Sequence, residues 1–149
     1  MNRALRDKIR EEADNRCMLC GCNCGKTGSP HHVIKISEEP LLRNCKKNII
    51  WVCLDCHRKT ENDGKFQARL QRKLQDKYFE IFNRSKNYTV KEIAQIVQAP
   101  SKDIEKAMQK GLLKWEFVDG VPKAKGINVV KFLMNGKLRN TEELNKEVI

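Results

Sequence analysis

Long apolar runs are missing from this chain of 149 residues: the longest, Ile49 to Leu54, covers six, against the roughly 20 that a membrane-spanning helix requires. The opening residues, Met1 to Asp7, carry charge with no apolar core behind them, so no secretory signal is expected. The expectation is a soluble, cytoplasmic protein without a membrane partner. Acidic residues are in deficit: 19 Asp and Glu against 30 Lys and Arg give a formal net charge of +11. Such a surplus favours a polyanionic partner, nucleic acid first, although ribosomal and membrane-surface proteins share the property. An even cysteine count is also missing. Seven cysteines without an export signal argue against a disulfide framework, and in a reducing compartment Cys-x-x-Cys pairs read as metal ligands. There is no internal repeat, and the length suits one ordinary domain or two small ones.

Histidine is scarce, but it is not scattered. All three histidines fall between Pro30 and Arg58, within His31-His32-Val33-Ile34 and Cys53-Leu54-Asp55-Cys56-His57. Histidine serves both metal ligation and proton transfer near neutral pH, so the stretch from His31 to His57 is the candidate centre. Before it, residues 4 to 15 have Leu5, Ile9 and Ala13 every four positions with charges between them, which predicts a short amphipathic helix ending near Asp14-Asn15. Cys17-Met18-Leu19-Cys20-Gly21 then has the pattern of a zinc knuckle, in which two intervening residues let both thiolates reach one ion. Cys53 and Cys56 form the partner pair. Four thiolates, Cys17, Cys20, Cys53 and Cys56, make a closed and therefore structural zinc site. Cys22, Cys24 and Cys45 are left over. Cys22 or Cys24 in place of Cys20, or His57 in place of a cysteine, remains open at this level.

Residues 31 to 36 alternate as a strand would, a charged loop runs from Ser37 to Lys47, and Asn48 to Val52 reads as a second strand. A helix is expected to start at Asp55, completing a ββα unit with histidines at its start and end. This segment, residues 4 to 62, resembles the HNH or ββα-metal endonucleases in their four-cysteine form. The resemblance rests on Cys17-x-x-Cys20, His31-His32, Asn48 and Cys53-x-x-Cys56-His57, in order and spacing. It implies a metal-dependent phosphodiester hydrolase, of phage or mobile-element type, that nicks or cuts double-stranded DNA. By that resemblance His31 and His57 would ligate a catalytic divalent cation, His32 would be the general base, and Asn48 would hold strand and loop so that His32 stays oriented. Many family members carry a further histidine one helical turn on. Glu61 stands there instead, and a carboxylate ligand would favour Mg²⁺ or Mn²⁺ over softer metals. The competing expectation, which gives the histidines no task, is a non-catalytic zinc-stabilised DNA-binding regulator.

Beyond the nuclease-like module, assigned to residues 1–64, Phe66, Leu70, Leu74, Tyr78 and Phe82 predict a helix over 65–82 with one core-facing stripe. Its other faces carry Lys65, Arg69, Arg72, Lys73 and Lys77, and Arg69, Arg72 and Lys73 are candidate phosphate contacts; a merely solvated charged face is the plain alternative. Residues 65–86 thus form a basic connecting helix and linker, with Asn83 to Asn87 as the candidate boundary. Residues 87–135 read as a second module. Thr89-Val90-Lys91-Glu92 is a capping box, Ala99-Pro100 ends the helix it opens, Ser101 is the expected cap of a helix over 102–110, and Gly111 closes that one. A hairpin is expected over 114–130, turning at Asp119-Gly120. Tyr88 to Ala94 and Lys110-Gly111-Leu112-Leu113 resemble the winged helix-turn-helix of the excisionase and MerR-type group. That would expose Lys102, Lys106 and Gln109 on a recognition helix; a small packing or dimerisation module is the alternative. Residues 136–149 are a polar tail, with a final helix conceivable after Thr141-Glu142-Glu143. The expected class is α+β. A monomer with one centre should nick, and a homodimer could cut both strands.

Overall fold

In the computed structural model, which describes residues 2–139, helices and two small antiparallel sheets alternate in an α+β arrangement. Helix α1 spans Arg3–Glu12 and is capped by the Asn2 side chain. It ends because Asp14 and Asn15 both adopt left-handed backbone, which short polar side chains tolerate better than most. Strand β1 (Ser29–His32) then pairs with β2 (Ile49–Val52), with Pro30 opposite Trp51, His31 opposite Ile50 and His32 opposite Ile49. Helix α2 (Leu54–Asn62) follows β2 directly, with the Cys53 thiol accepting from the Cys56 backbone N–H at its N-terminus.

The first strand is earlier and shorter than the alternation over 31–36 predicts. Val33 still donates to the Asn48 backbone carbonyl (2.9 Å), but at Ile34 the Asn48 side chain replaces strand pairing: the Ile34 N–H donates to Asn48 Oδ1 (2.7 Å) and Asn48 Nδ2 donates to the Ile34 carbonyl (2.9 Å).

Helix α3 (Gly64–Ile81) is capped by Asp63, whose carboxylate accepts from the Lys65 and Phe66 N–H groups. Its stripe behaves as the spacing predicts, with Leu70, Leu74, Tyr78 and Phe82 buried and Phe66 partly so. Strand β3 (Asn87–Thr89), α4 (Val90–Val97), α5 (Ser101–Gln109), β4 (Glu116–Val118), β5 (Val121–Lys125) and α6 (Gly126–Leu133) complete the described chain. The capping box is formed in both directions, Thr89 Oγ1 accepting from Glu92 N–H and Glu92 accepting from Thr89 N–H. Pro100, not Ser101, occupies the cap position of α5. The hairpin does turn at Asp119-Gly120, where both residues have positive φ, but it ends at Lys125. Val129, Val130 and Leu133 are buried at helical spacing, and that burial favours α6 over a longer strand. The first residue of α6 is glycine because any Cβ there would overlap the Asn83 carbonyl.

One buried cluster runs from Val33, Ile34, Leu42 and Cys45 through α3 into α4, α5 and α6. The first and second halves of the chain therefore share apolar packing through α3. A second, much smaller cluster of Ile9, Ile49 and Trp51 joins α1 to β2. Residues 137–139 run back along α3, where Gln75 pairs with both the N–H and the carbonyl of Arg139. The tail helix expected after Thr141 lies outside the described residues. No described helix is long and apolar enough to cross a membrane.

Candidate metal and histidine centre

The cysteine cluster is built by two backbone turns brought together by β2. Cys17 sits after the left-handed turn at Asp14-Asn15, and its Sγ accepts from the Leu19 and Cys20 N–H groups. The Met18 N–H donates to the Trp51 carbonyl (2.8 Å), so the first knuckle is stitched to the strand that carries the second. Trp51, fully buried, donates from its indole N–H to the Gly25 carbonyl (3.1 Å) and packs on Gly28, where a Cβ would come within 2.5 Å of the ring. Through these contacts Cys17, Cys20, Cys53 and Cys56 place all four Sγ atoms within 4.8 Å of one another, with Cys20 and Cys53 at 3.8 Å. A tetrahedral zinc with bonds of about 2.3 Å needs sulfurs just under 4 Å apart, so the cluster fits that ion. Cys22, Cys24 and Cys45 do not belong to it, and Cys45 is wholly buried against the Val97 carbonyl.

The thiols also carry the electrostatics of a cation site. Burial alone pushes the Cys17 thiol up, but N–H donation from its neighbours outweighs that and lowers it to about 6. Burial and the adjacent sulfurs of Cys53, Cys17 and Cys20 push the Cys56 thiol up strongly. Four crowded sulfurs cannot all ionise unaided, and a divalent cation is the group that would let them do so.

His57 follows Cys56 directly in the chain and leads to the histidines. His31 is buried, and its ring meets that of His57 edge to face at 5.5 Å between centroids. Its Nε2 lies 3.2 Å from Gln67 Oε1. The His57 Nδ1 lies 3.6 Å from Glu61 Oε1. His32, half-buried, sets its Nε2 3.1 Å from the Arg43 carbonyl oxygen. Burial lowers the pKa of both His31 and His32, which keeps the rings neutral at pH 7; for His31 the Gln67 hydrogen bond opposes this, and for His32 the Arg43 carbonyl does. Asn48 is fully buried and holds Ile34 from both sides, two residues beyond His32. Asn48→Ala would orphan a buried N–H and a buried carbonyl. The expected cost is roughly 2–4 kcal/mol, measured as a shift in the urea midpoint.

Of the residues singled out from the sequence, His31 and His57 are brought together, and Glu61 stands beside His57. The four cysteines are the one set among the described residues whose ligand atoms close on a common point; His31, His57 and Glu61 do not close in that way. Arg69 and Lys73 are exposed on α3, whereas Arg72 is engaged by Asp76 and by the Arg139 carbonyl. Lys73 borders a cleft of about 720 Å³ together with Lys46, Lys47 and Lys77. Lys102, Lys106 and Gln109 are exposed on α5, away from its buried face of Ile104, Ala107 and Met108. Two residues of the centre were not anticipated, Gln67 and Arg43, the latter acting through its backbone. Gln67 had a visible trace: Gln67, Gln71 and Gln75 follow the apolar stripe at the same spacing of four, one position on. Compared with known protein families, with curated proteins and with solved structures, the chain matches none.

Proposed function

We propose that this protein is a metal-dependent DNA endonuclease of the HNH type, with a structural zinc at Cys17, Cys20, Cys53 and Cys56. The observation that carries the reading is the treatment of the three histidines. Two of them have one ring nitrogen hydrogen-bonded to an acceptor, Gln67 Oε1 for His31 and the Arg43 carbonyl for His32, and the third, His57, faces Glu61 across 3.6 Å. Metal-ligating and proton-accepting imidazoles are held in this way, one N–H committed and the other nitrogen left free to act. A zinc ribbon or a purely DNA-binding module has no use for two rings held in this way with a third, His57, packed against one of them.

In this reading His31 and His57 are the residues that would hold a Mg²⁺ or Mn²⁺ ion, with Glu61 orienting His57 or serving as a third ligand. When bound, the cation supplies charge compensation for the scissile phosphate and its departing oxygen. The protein's own groups do the rest. The Arg43 carbonyl can only accept, so neutral His32 carries its proton on Nε2 and presents the Nδ1 lone pair to the attacking water. The water oxygen attacks phosphorus as His32 takes its proton, and the bond to the 3′ oxygen breaks; the departing oxyanion takes a proton from solvent, leaving a 5′-phosphate and a 3′-hydroxyl. Asn48 fixes the backbone that follows His32.

The segment from Tyr88 onward supports a second part of the proposal, a winged helix-turn-helix that adds base contacts to a centre that otherwise grips backbone. Its two packed helices, α4 and α5, precede the β4–β5 hairpin, and Lys102, Lys106 and Gln109 lie on the open side of α5. The decisive experiment is incubation of supercoiled plasmid with the purified protein and Mg²⁺ or Mn²⁺. Nicked or linear product with metal, and none with EDTA, is expected; intact plasmid throughout supports the non-catalytic regulator instead. In the same preparation, Lys102→Ala with Lys106→Ala should weaken DNA binding and flatten its salt dependence by about two log–log units. An unchanged slope would reject α5 as a phosphate-contacting helix.

A further inference from the structure

Helix α3 carries Gln67, Gln71 and Gln75 at successive turns, and their amides form a continuous polar line along an otherwise apolar helix face. Gln67 Nε2 donates to the Val33 carbonyl at 2.8 Å, and Gln71 Nε2 donates to the same oxygen at 3.3 Å. Gln71 accepts from the Arg139 guanidinium on its other side, and Gln75 pairs with the Arg139 backbone. Gln71 and Gln75 are almost fully buried. Structural pairing accounts for both of them. It does not account for Gln67, whose carbonyl oxygen is turned to His31.

The orientation of the Gln67 amide is not a free choice. The Val33 carbonyl has no proton to give, so only the NH₂ side of the amide can face it. The Oε1 side is then committed to His31, and an amide oxygen can only accept. His31 must therefore donate from Nε2, which leaves the lone pair on Nδ1. We infer that Gln67 is a positioning residue for the histidine centre: by fixing the His31 tautomer through the Val33 carbonyl, it makes His31 Nδ1 the atom that faces a hard divalent cation. The inference rests on the endonuclease reading for the cation, whereas the tautomer follows from the hydrogen bonds alone. Val33 is adjacent to His32, so the same carbonyl ties α3 to the backbone of both histidines.

The test uses the zinc-loaded full chain labelled with ¹⁵N-histidine, which has only three imidazoles to assign. At mildly alkaline pH the wild type should show His31 protonated on Nε2, with that N–H exchanging slowly with water. Gln67→Glu keeps an acceptor facing the ring and should keep the signal; Gln67→Leu should lose it. Gln71→Leu removes a bond to the same Val33 carbonyl without touching His31, and should also keep the signal. Mn²⁺ affinity, read from the free-ion electron paramagnetic resonance signal, should fall about 10–100-fold in Gln67→Leu and stay near wild type in Gln67→Glu and Gln71→Leu. Wild-type His31 protonated on Nδ1, or wild-type Mn²⁺ affinity in Gln67→Leu, overturns the inference. An equal loss in Gln71→Leu overturns it too, because the effect would then be general packing. A wild type that shows the slow Nε2 proton but binds no Mn²⁺ overturns the endonuclease reading, and the positioning role falls with it.

Discussion

Cys17→Ser or Cys56→Ser is expected to release one tightly held zinc per chain and to unfold the segment from α1 to Gly28, with a loss of stability of several kcal/mol. The size follows from how little else holds that segment. Its apolar packing is the small cluster of Ile9, Ile49 and Trp51, which at about 25 cal/mol per Å² offsets only part of the cost of ordering more than twenty residues. Structural zinc in comparably small units contributes on the order of 10 kcal/mol of folding free energy. The larger cluster, from Val33 through α6, has no need of the ion and should persist. Trp51 reports on the difference: it is fully buried over Gly28, while Trp115 is exposed. Zinc content by atomic absorption and tryptophan emission should therefore change together, the emission moving to the red by the Trp51 contribution while much of the helical signal stays. A metal-free protein with unshifted emission and an unchanged melting curve would show that the four thiols are not a folding site.

That division also explains what could be read from the chain and what could not. The cysteine cluster was legible because tetrahedral thiolate coordination constrains spacing tightly, and two Cys-x-x-Cys pairs carry that constraint in plain sight. The stripe of α3 and the capping box at Thr89 were legible for the same reason: each is a local rule. The end of β1 was not. Alternation from His31 to Ile36 is a fair strand signal, but Asn48, sixteen positions beyond His32, outcompetes it by pairing with Ile34. Helix α6 was misread as the end of a hairpin because Ala124 to Val130 is apolar enough for either structure, and burial of Val129, Val130 and Leu133 against α3 and its neighbours decided it. For Gln67 the spacing with Gln71 and Gln75 left a trace in the sequence, but its partner did not. A glutamine beside the apolar stripe becomes the partner of His31 only after α3 has been laid across the hairpin.

His32→Ala is expected to slow plasmid nicking by about 10²–10⁴-fold, the usual contribution of a positioned general base, with the melting temperature little changed. The two effects separate because of what the ring does in the fold. His32 is half-buried and makes one hydrogen bond, to the carbonyl of Arg43, an exposed residue. Water can replace the ring at that carbonyl, so truncation costs about 1 kcal/mol. Asn48 continues to pair with Ile34, and the backbone on which His31 and His57 stand is unaffected. His31→Ala should differ: it opens a buried cavity between α2 and α3 and strands Gln67 Oε1, so its loss of activity would come with lower Mn²⁺ affinity and lower stability. A defect in His32→Ala confined to the rate, with Mn²⁺ affinity and folding retained, is what a proton acceptor predicts. Equal nicking by wild type and His32→Ala would remove His32 as the base and leave a neighbouring group, or hydroxide, to activate the water.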